Sequence, residues 1–294
     1  MTTTAISMAR VNAMTPPFFR TIFFSRLLVI SSSASRCRSR GSILRRRGWI
    51  IRRSGRSQTE GSACRMAGGS HAKPIAQWVM LFMLAAAKNL PRLTEFRQTK
   101  AWEFLPADEL TGRTCGIIGL GSIGHEVARL ARAFEMVTIG LRRTPRPSPL
   151  LDEVVGLEDL DSLLARSDYV VICAPLNAQS HRLVGPREFA LMKESSWLLN
   201  VGRGAIVDES ALAEALRDGV IKGAALDVFE KEPLPADSPL WAMPNVYITP
   251  HNSGSSPFAL DRAVEVFARN LECFARGEPM PNEVDPAETY ATSA

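Results

Sequence analysis

The hexapeptide Gly119-Leu120-Gly121-Ser122-Ile123-Gly124 constrains the fold of this chain more than any other feature. It follows the apolar run Gly116-Ile117-Ile118 and opens a stretch with Ile123, Val127, Leu130 and Phe134 at helical spacing. A G-x-G-x-x-G set between a strand and a helix is a dinucleotide-binding fingerprint, whereas the same residues elsewhere are only a glycine-rich turn. Gly119 permits the tight turn, Gly121 lets the backbone approach a pyrophosphate, and Gly124 lets helix and strand pack closely. The helix N-terminus then offers unpaired N–H groups and a positive dipole end to the phosphates.

Around this loop the sequence alternates between two periodicities. Short apolar runs at Cys115–Leu120, Met136–Leu141, Tyr169–Ala174, Trp197–Val201, Ala224–Phe229 and Val246–Thr249 read as strands. Helical patterns fall between them, at Ile123–Phe134, Leu157–Arg166 and Glu209–Arg217, and Phe258 to Ala275 forms a last amphipathic helix. Continuous apolar strands separated by helices predict an α/β fold, a doubly wound parallel (Rossmann) sheet covered on both faces. Upstream, Lys73 to Arg92 reads as one helix with Pro74 near its start and apolar residues on almost every face. Such a helix is buried, and a second subunit is one candidate to cover it, so a homodimer is expected.

Charge is distributed unevenly. Residues 1–65 hold thirteen Arg, no Lys and one acid, Glu60, for a local net charge of +12, so the +5 chain has a body of −7. An acidic body argues against a nucleic-acid partner. No apolar run reaches the roughly 18 residues that span a bilayer. The best, Phe18 to Ile30, is broken by Arg20 and Arg26. The five cysteines, Cys37, Cys64, Cys115, Cys173 and Cys273, are scattered and form no C-x-x-C pair. They read neither as a metal site nor as a disulfide framework, and no metal is expected. A reducing, cytoplasmic location follows. Residues 1–63 are read as a basic, Arg/Ser-rich leader, disordered or the artefact of a shifted reading frame. A mitochondrial transit peptide is the alternative, since such peptides are rich in Arg and Ser and poor in acids.

The second strand should end where the adenosine ribose is read. An NAD-preferring site carries Asp or Glu there, to accept from the 2′-hydroxyl. This chain has Gly140-Leu141-Arg142-Arg143-Thr144, with no acid. Arginine grips a phosphate through two parallel hydrogen bonds, so Arg142 and Arg143 predict a preference for NADP over NAD.

Three further motifs sit just past predicted strands: Asn200-Val201-Gly202-Arg203-Gly204, Asp227-Val228-Phe229-Glu230-Lys231-Glu232-Pro233 and Thr249-Pro250-His251-Asn252-Ser253-Gly254. Ligands bind at that edge of an open parallel sheet, so an Arg, a Glu and a His are carried to one place. From about His71 to Asp285 the chain resembles the D-isomer-specific 2-hydroxyacid dehydrogenase family. The resemblance rests on these motifs together with the glycine loop and Cys173-Ala174-Pro175-Leu176. It implies that Arg203, Glu232 and His251 form the catalytic set and that Asp227 contacts the nicotinamide. It also implies that Ser122, Ile123, Ala174 and Val201 touch the cofactor. Pro175, Gly202 and Gly254, in the same motifs, complete the expected cofactor-binding residues. The chemistry is consistent: imidazole donates a proton near neutral pH, a neighbouring carboxylate fixes its tautomer, and a guanidinium clamps a carboxylate.

The resemblance implies a second, substrate-binding lobe, and here the chain departs from the pattern. Before about Cys64 no strand–helix alternation appears, and Gln77 stands where many members have Glu. The expected organisation is a leader (1–63), a remnant of the substrate domain (64–100 and 277–294) and a dinucleotide-binding domain (101–276). The expected activity is hydride transfer between NADP(H) or NAD(H) and a small 2-hydroxy or 2-oxo acid such as glyoxylate or hydroxypyruvate. The alternative is an inactive dinucleotide-binding or corepressor-like protein on the same fold.

Overall fold

The alternating segments assemble into a seven-stranded parallel sheet in the computed structural model, which describes residues 69–280. The strands are β1 (Thr114–Ile118), β2 (Val137–Leu141), β3 (Glu153–Val155), β4 (Tyr169–Ile172), β5 (Trp197–Asn200), β6 (Gly223–Leu226) and β7 (Val246–Ile248). They lie in the order β3-β2-β1-β4-β5-β6-β7, every neighbouring pair parallel. The order reverses between β1 and β4, and the crevice beyond the carboxyl ends of those strands is where such sheets bind ligands.

The inner strands β1, β4, β5 and β6 are buried on both faces, which is why their runs are continuously apolar rather than alternating. On one face Ile118, Ile139, Ile172, Leu198 and Leu226 pack with residues of helices α4 (Leu160–Arg166), α5 (Pro186–Leu191) and α6 (Glu209–Arg217). On the other, Ile117, Val171, Leu199 and Ala225 pack with helices α1 (Ala72–Ala87) and α3 (Ser122–Ala133). Helix α6 is capped by Asp208, whose side chain accepts from the Ala211 N–H.

The structure corrects several boundaries. Five of the six expected strands end one to three residues early, because the residues after the ladder turn away as loops at the ligand edge. The three-residue edge strand β3 has only two apolar residues and was not expected. The helix expected over 73–92 ends at Ala87, and α2 (Leu90–Thr99) starts afresh after Asn89, which sits at φ 51°. Leu81 on α1 stays exposed, while one side of the helix is buried within this chain. Its Ile75, Ala76, Val79 and Met83 lie against this chain's own sheet and α3. The last helix, α7 (Ala259–Arg276), matches the expected span to one residue. Residues 1–63 lie outside the described residues, as does 281–294 of the expected remnant. No helix among the described residues is long and apolar enough to cross a membrane.

Candidate active site

The glycine loop turns out of β1 with Gly119 at φ +101°, a backbone region open chiefly to glycine. A side chain there would also strike the backbone of Ala174, its Cβ lying 2.6 Å from the Ala174 nitrogen. Gly119 and Ala174 thus close on each other across the reversal point between β1 and β4. Gly124 is equally crowded, its missing Cβ falling 2.2 Å from the Gly119 carbonyl oxygen. Gly121 faces open space instead, with nothing within 4 Å of where a Cβ would stand. Gly121 and Ser122 are exposed and Ile123 half-buried at the first turn of α3. Two glycines that permit close packing and one that leaves an open shelf at a helix N-terminus fit a bound pyrophosphate.

The next wall comes from β4 and β5. Ala174 and Pro175 follow β4, and the Pro175 carbonyl accepts from the Ser180 hydroxyl at 2.7 Å. Val201 is buried after β5, and Gly202 approaches Ala174 so closely that a Cβ would lie 2.8 Å from its carbonyl oxygen. Asn200, buried at the end of β5, shapes this turn. Its amide accepts from the Gly202 N–H at 3.0 Å and donates to the Arg203 carbonyl at 3.1 Å. Arg203 is exposed, and one guanidinium N–H donates to the Gly202 carbonyl at 2.7 Å. Gly204 lets this loop abut the β6 loop, since a Cβ there would fall 1.8 Å from the Phe229 carbonyl carbon.

The β6 loop carries Glu232 and the β7 loop carries His251. Glu232 Oε2 lies 2.7 Å from His251 Nδ1, and its Oε1 accepts from the Phe229 N–H at 3.1 Å. Partial burial pushes the Glu232 carboxyl up, but the His251 and Phe229 hydrogen bonds and the charges of His251 and Arg203 outweigh it. The carboxyl is held below its ordinary range and stays ionised. Arg203, Glu232 and His251 therefore do converge, from three loops. His251 itself is at φ +50°, the left-handed region. Gly254 faces the His71 ring, its missing Cβ 3.2 Å from His71 Cδ2.

Asp227 is buried, and its carboxylate is engaged by the β7 loop. Oδ1 accepts from the Thr249 hydroxyl at 2.6 Å and the Asn252 N–H at 2.9 Å, and Oδ2 from the Ser253 N–H at 2.9 Å. The sequence does not show this role of holding the His251 loop. It likewise gives no signal for Thr249 or Gly204 beyond their place inside the motifs. Arg142 and Arg143 stand at the end of β2, half-buried and exposed respectively, away from the Arg–Glu–His group at the far side of the β1/β4 crevice. Cys173 lies beside Ala174, partly buried, and burial pushes its thiol up. The site is an open shelf. Two depressions lie outside this group, one lined by Gly204, Leu212 and Leu226 beneath the Arg203 loop and one lined by Asp108, Arg113 and Trp197 at the opposite edge of the sheet.

The geometry has close relatives. The family described as "D-isomer specific 2-hydroxyacid dehydrogenase, NAD binding domain" matches residues 80–253. D-3-phosphoglycerate dehydrogenase of Methanocaldococcus jannaschii is 38% identical over 216 residues, which are 72% of this chain and 41% of that protein. Glyoxylate reductase of Korarchaeum cryptofilum is 36% identical over 219 residues, 71% of this chain and 65% of that protein. The chain thus spans less than two thirds of the length of these curated relatives. Among solved structures, a D-isomer-specific 2-hydroxyacid dehydrogenase of Xanthobacter autotrophicus in complex with NADPH superposes with a TM-score of 0.71 at 32% identity. That match covers 80% of this chain and 97% of that one. An NADPH-dependent glyoxylate/hydroxypyruvate reductase of Sinorhizobium meliloti in complex with NADP gives 0.68 at 31% identity, covering 75% and 71%.

Proposed function

The chain belongs to the D-isomer-specific 2-hydroxyacid dehydrogenase family, and from that premise we propose that it reduces a small 2-oxo acid with NADPH. The observation that carries this reading is the 2.7 Å contact between His251 Nδ1 and Glu232 Oε2, made beside the exposed guanidinium of Arg203 at the carboxyl edge of the sheet. Gly119, Gly121, Ser122, Ile123 and Gly124 would hold the pyrophosphate, with Ala174, Pro175, Val201, Gly202, Asp227 and Gly254 lining the rest of the cofactor site. The bound dinucleotide supplies the hydride.

The chain's own residues supply the rest. Arg203 clamps the substrate carboxylate and draws charge toward the carbonyl oxygen. His251 gives that oxygen a proton from Nε2, the ring nitrogen turned away from Glu232. Glu232, kept ionised, holds the opposite nitrogen and fixes the orientation of the ring. Glyoxylate and hydroxypyruvate, which the names of the glyoxylate/hydroxypyruvate reductase relatives carry, are the substrates to try first. Arg142 and Arg143 favour the 2′-phosphate of NADPH, because no carboxylate stands at the end of β2 to repel it. A homodimer is the proposed assembly.

The test is loss of NADPH absorbance on adding glyoxylate or hydroxypyruvate. Turnover in the wild type that falls by about 10³-fold or more in His251→Gln, with NADPH still bound, supports the reading. Binding without turnover favours a dinucleotide-binding protein instead. Arg142→Asp is expected to raise the ratio of NADH to NADPH efficiency by about tenfold or more, the effect of one lost charge-assisted phosphate contact. An unchanged ratio refutes the assignment of the β2 end.

A further inference from the structure

Trp78, on helix α1, and Thr249, just after β7, meet across 171 residues of sequence: the indole Nε1–H donates to Thr249 Oγ1 at 3.0 Å. An indole N–H can only donate, so Thr249 Oγ1 must accept from it. The single proton of that hydroxyl is then directed to Asp227 Oδ1, 2.6 Å away. The carboxylate in turn can only accept, and it also takes the N–H groups of Asn252 and Ser253 at 2.9 Å each. The chain from indole to hydroxyl to carboxylate to loop therefore has one polarity, and every donor in it has one partner. The residue enclosed by this chain is His251. Its own N–H donates to the Asp227 carbonyl at 2.9 Å and the Thr249 carbonyl at 3.0 Å, and its φ is +50°. An L-residue stays in that region only where its surroundings over-determine it.

The donor end of the chain is itself fixed. Trp78 is buried and packs on Phe82 at 4.4 Å between ring centroids. Phe82 meets Tyr247 of β7 at 5.1 Å, and Tyr247 stacks on Trp197 of β5 at 5.5 Å. Helix α1 is thus tied to β7 by a run of aromatic rings, and the indole is aimed from a rigid support.

We propose that Trp78 and Thr249 are positioning residues for His251, holding its loop through Asp227 so that the imidazole meets Glu232. That the held imidazole serves proton transfer rests on the function proposed above, but the hold itself does not. Three variants separate the possibilities: Trp78→Phe deletes the N–H, Thr249→Val keeps the shape without the hydroxyl, and Thr249→Ser keeps the hydroxyl. Two readouts are made on each. One is the ring ¹⁵N resonances of His251, identified by their loss in His251→Gln, which report the tautomer and the Nδ1 hydrogen bond. The other is kcat and KM for glyoxylate reduction with NADPH.

The expected result is a kcat lower by about fivefold in Trp78→Phe and about tenfold or more in Thr249→Val, the scale of a lost hydrogen bond. The double variant should be no worse than Thr249→Val alone, since one chain is broken once. The His251 ring signals should shift in both variants and return toward wild type in Thr249→Ser. Unmoved His251 signals with only a lowered Tm, or effects that multiply in the double variant, overturn the proposal. If the wild type reduces neither glyoxylate nor hydroxypyruvate, the functional reading fails while the ring signals still decide the hold.

Discussion

The Glu232 carboxyl feels burial, which favours its neutral form, and a ring nitrogen, an N–H and a guanidinium, which favour the anion and prevail. Its pKa is lowered in the fold, so the stabilisation is fully present above the ordinary value of 4.5 and is lost as pH falls through the lower folded-state value. Glu232→Gln should therefore unfold more easily than wild type above about pH 4.5, and the gap should close below it in urea titrations. The side chain is 37% exposed, so the gap should not exceed about 1 kcal/mol. The cysteines give a second check at this scale. Burial pushes the Cys115 thiol up to about 12, and that of Cys173 is raised further. At pH 8 Cys115, fully buried, should not react with iodoacetamide until the protein unfolds, as mass spectrometry of labelled peptides would show. Labelling of Cys115 in the native fold would contradict its burial in the sheet.

Among the elements, the loops after β1, β4, β5 and β6 are held at distances only glycine allows. Gly204→Ala must separate the Arg203 loop from the Phe229 backbone. We expect it to cost about 1–3 kcal/mol of stability in urea unfolding and to abolish turnover, since it parts Arg203 from Glu232. Gly119→Ala combines a φ of +101° with a contact to the Ala174 backbone and should lose NADPH binding, read by fluorescence titration. Retained affinity would show that the loop after β1 does not cradle the cofactor. Much of this edge is legible from the residues. Gly119–Gly124 between an apolar run and a helical one specifies strand, loop and helix, and three motifs after three strands specify one shared edge. Other parts are not. Glu153–Val155 is too short to show a period, and the stop at Lys88–Asn89 depends on a left-handed backbone at Asn89 that no glycine announces. The link from Trp78 to Thr249 joins residues whose patterns each report only local burial, so no spacing rule could reveal it.

For the described residues together, the sheet places a cradle for a dinucleotide and a polar group of three side chains along one edge, and helix α1 is part of the same core as the strands. Arg203, Glu232 and His251 remain open to water, so substrate capture at this edge is expected to be weak, with a KM near or above 1 mM, the upper end of the usual enzyme range. On the proposed function these three groups serve a hydride transfer to C2 of a 2-oxo acid. Its most direct measurement is the fate of deuterium from NADPH carrying two deuterium atoms at C4 of the nicotinamide, followed into glycolate by mass spectrometry after incubation with glyoxylate. Singly deuterated glycolate is expected from the wild type, and none above background from His251→Gln or Arg203→Gln. Unlabelled glycolate, no glycolate from the wild type, or equal yields from wild type and variants would contradict it.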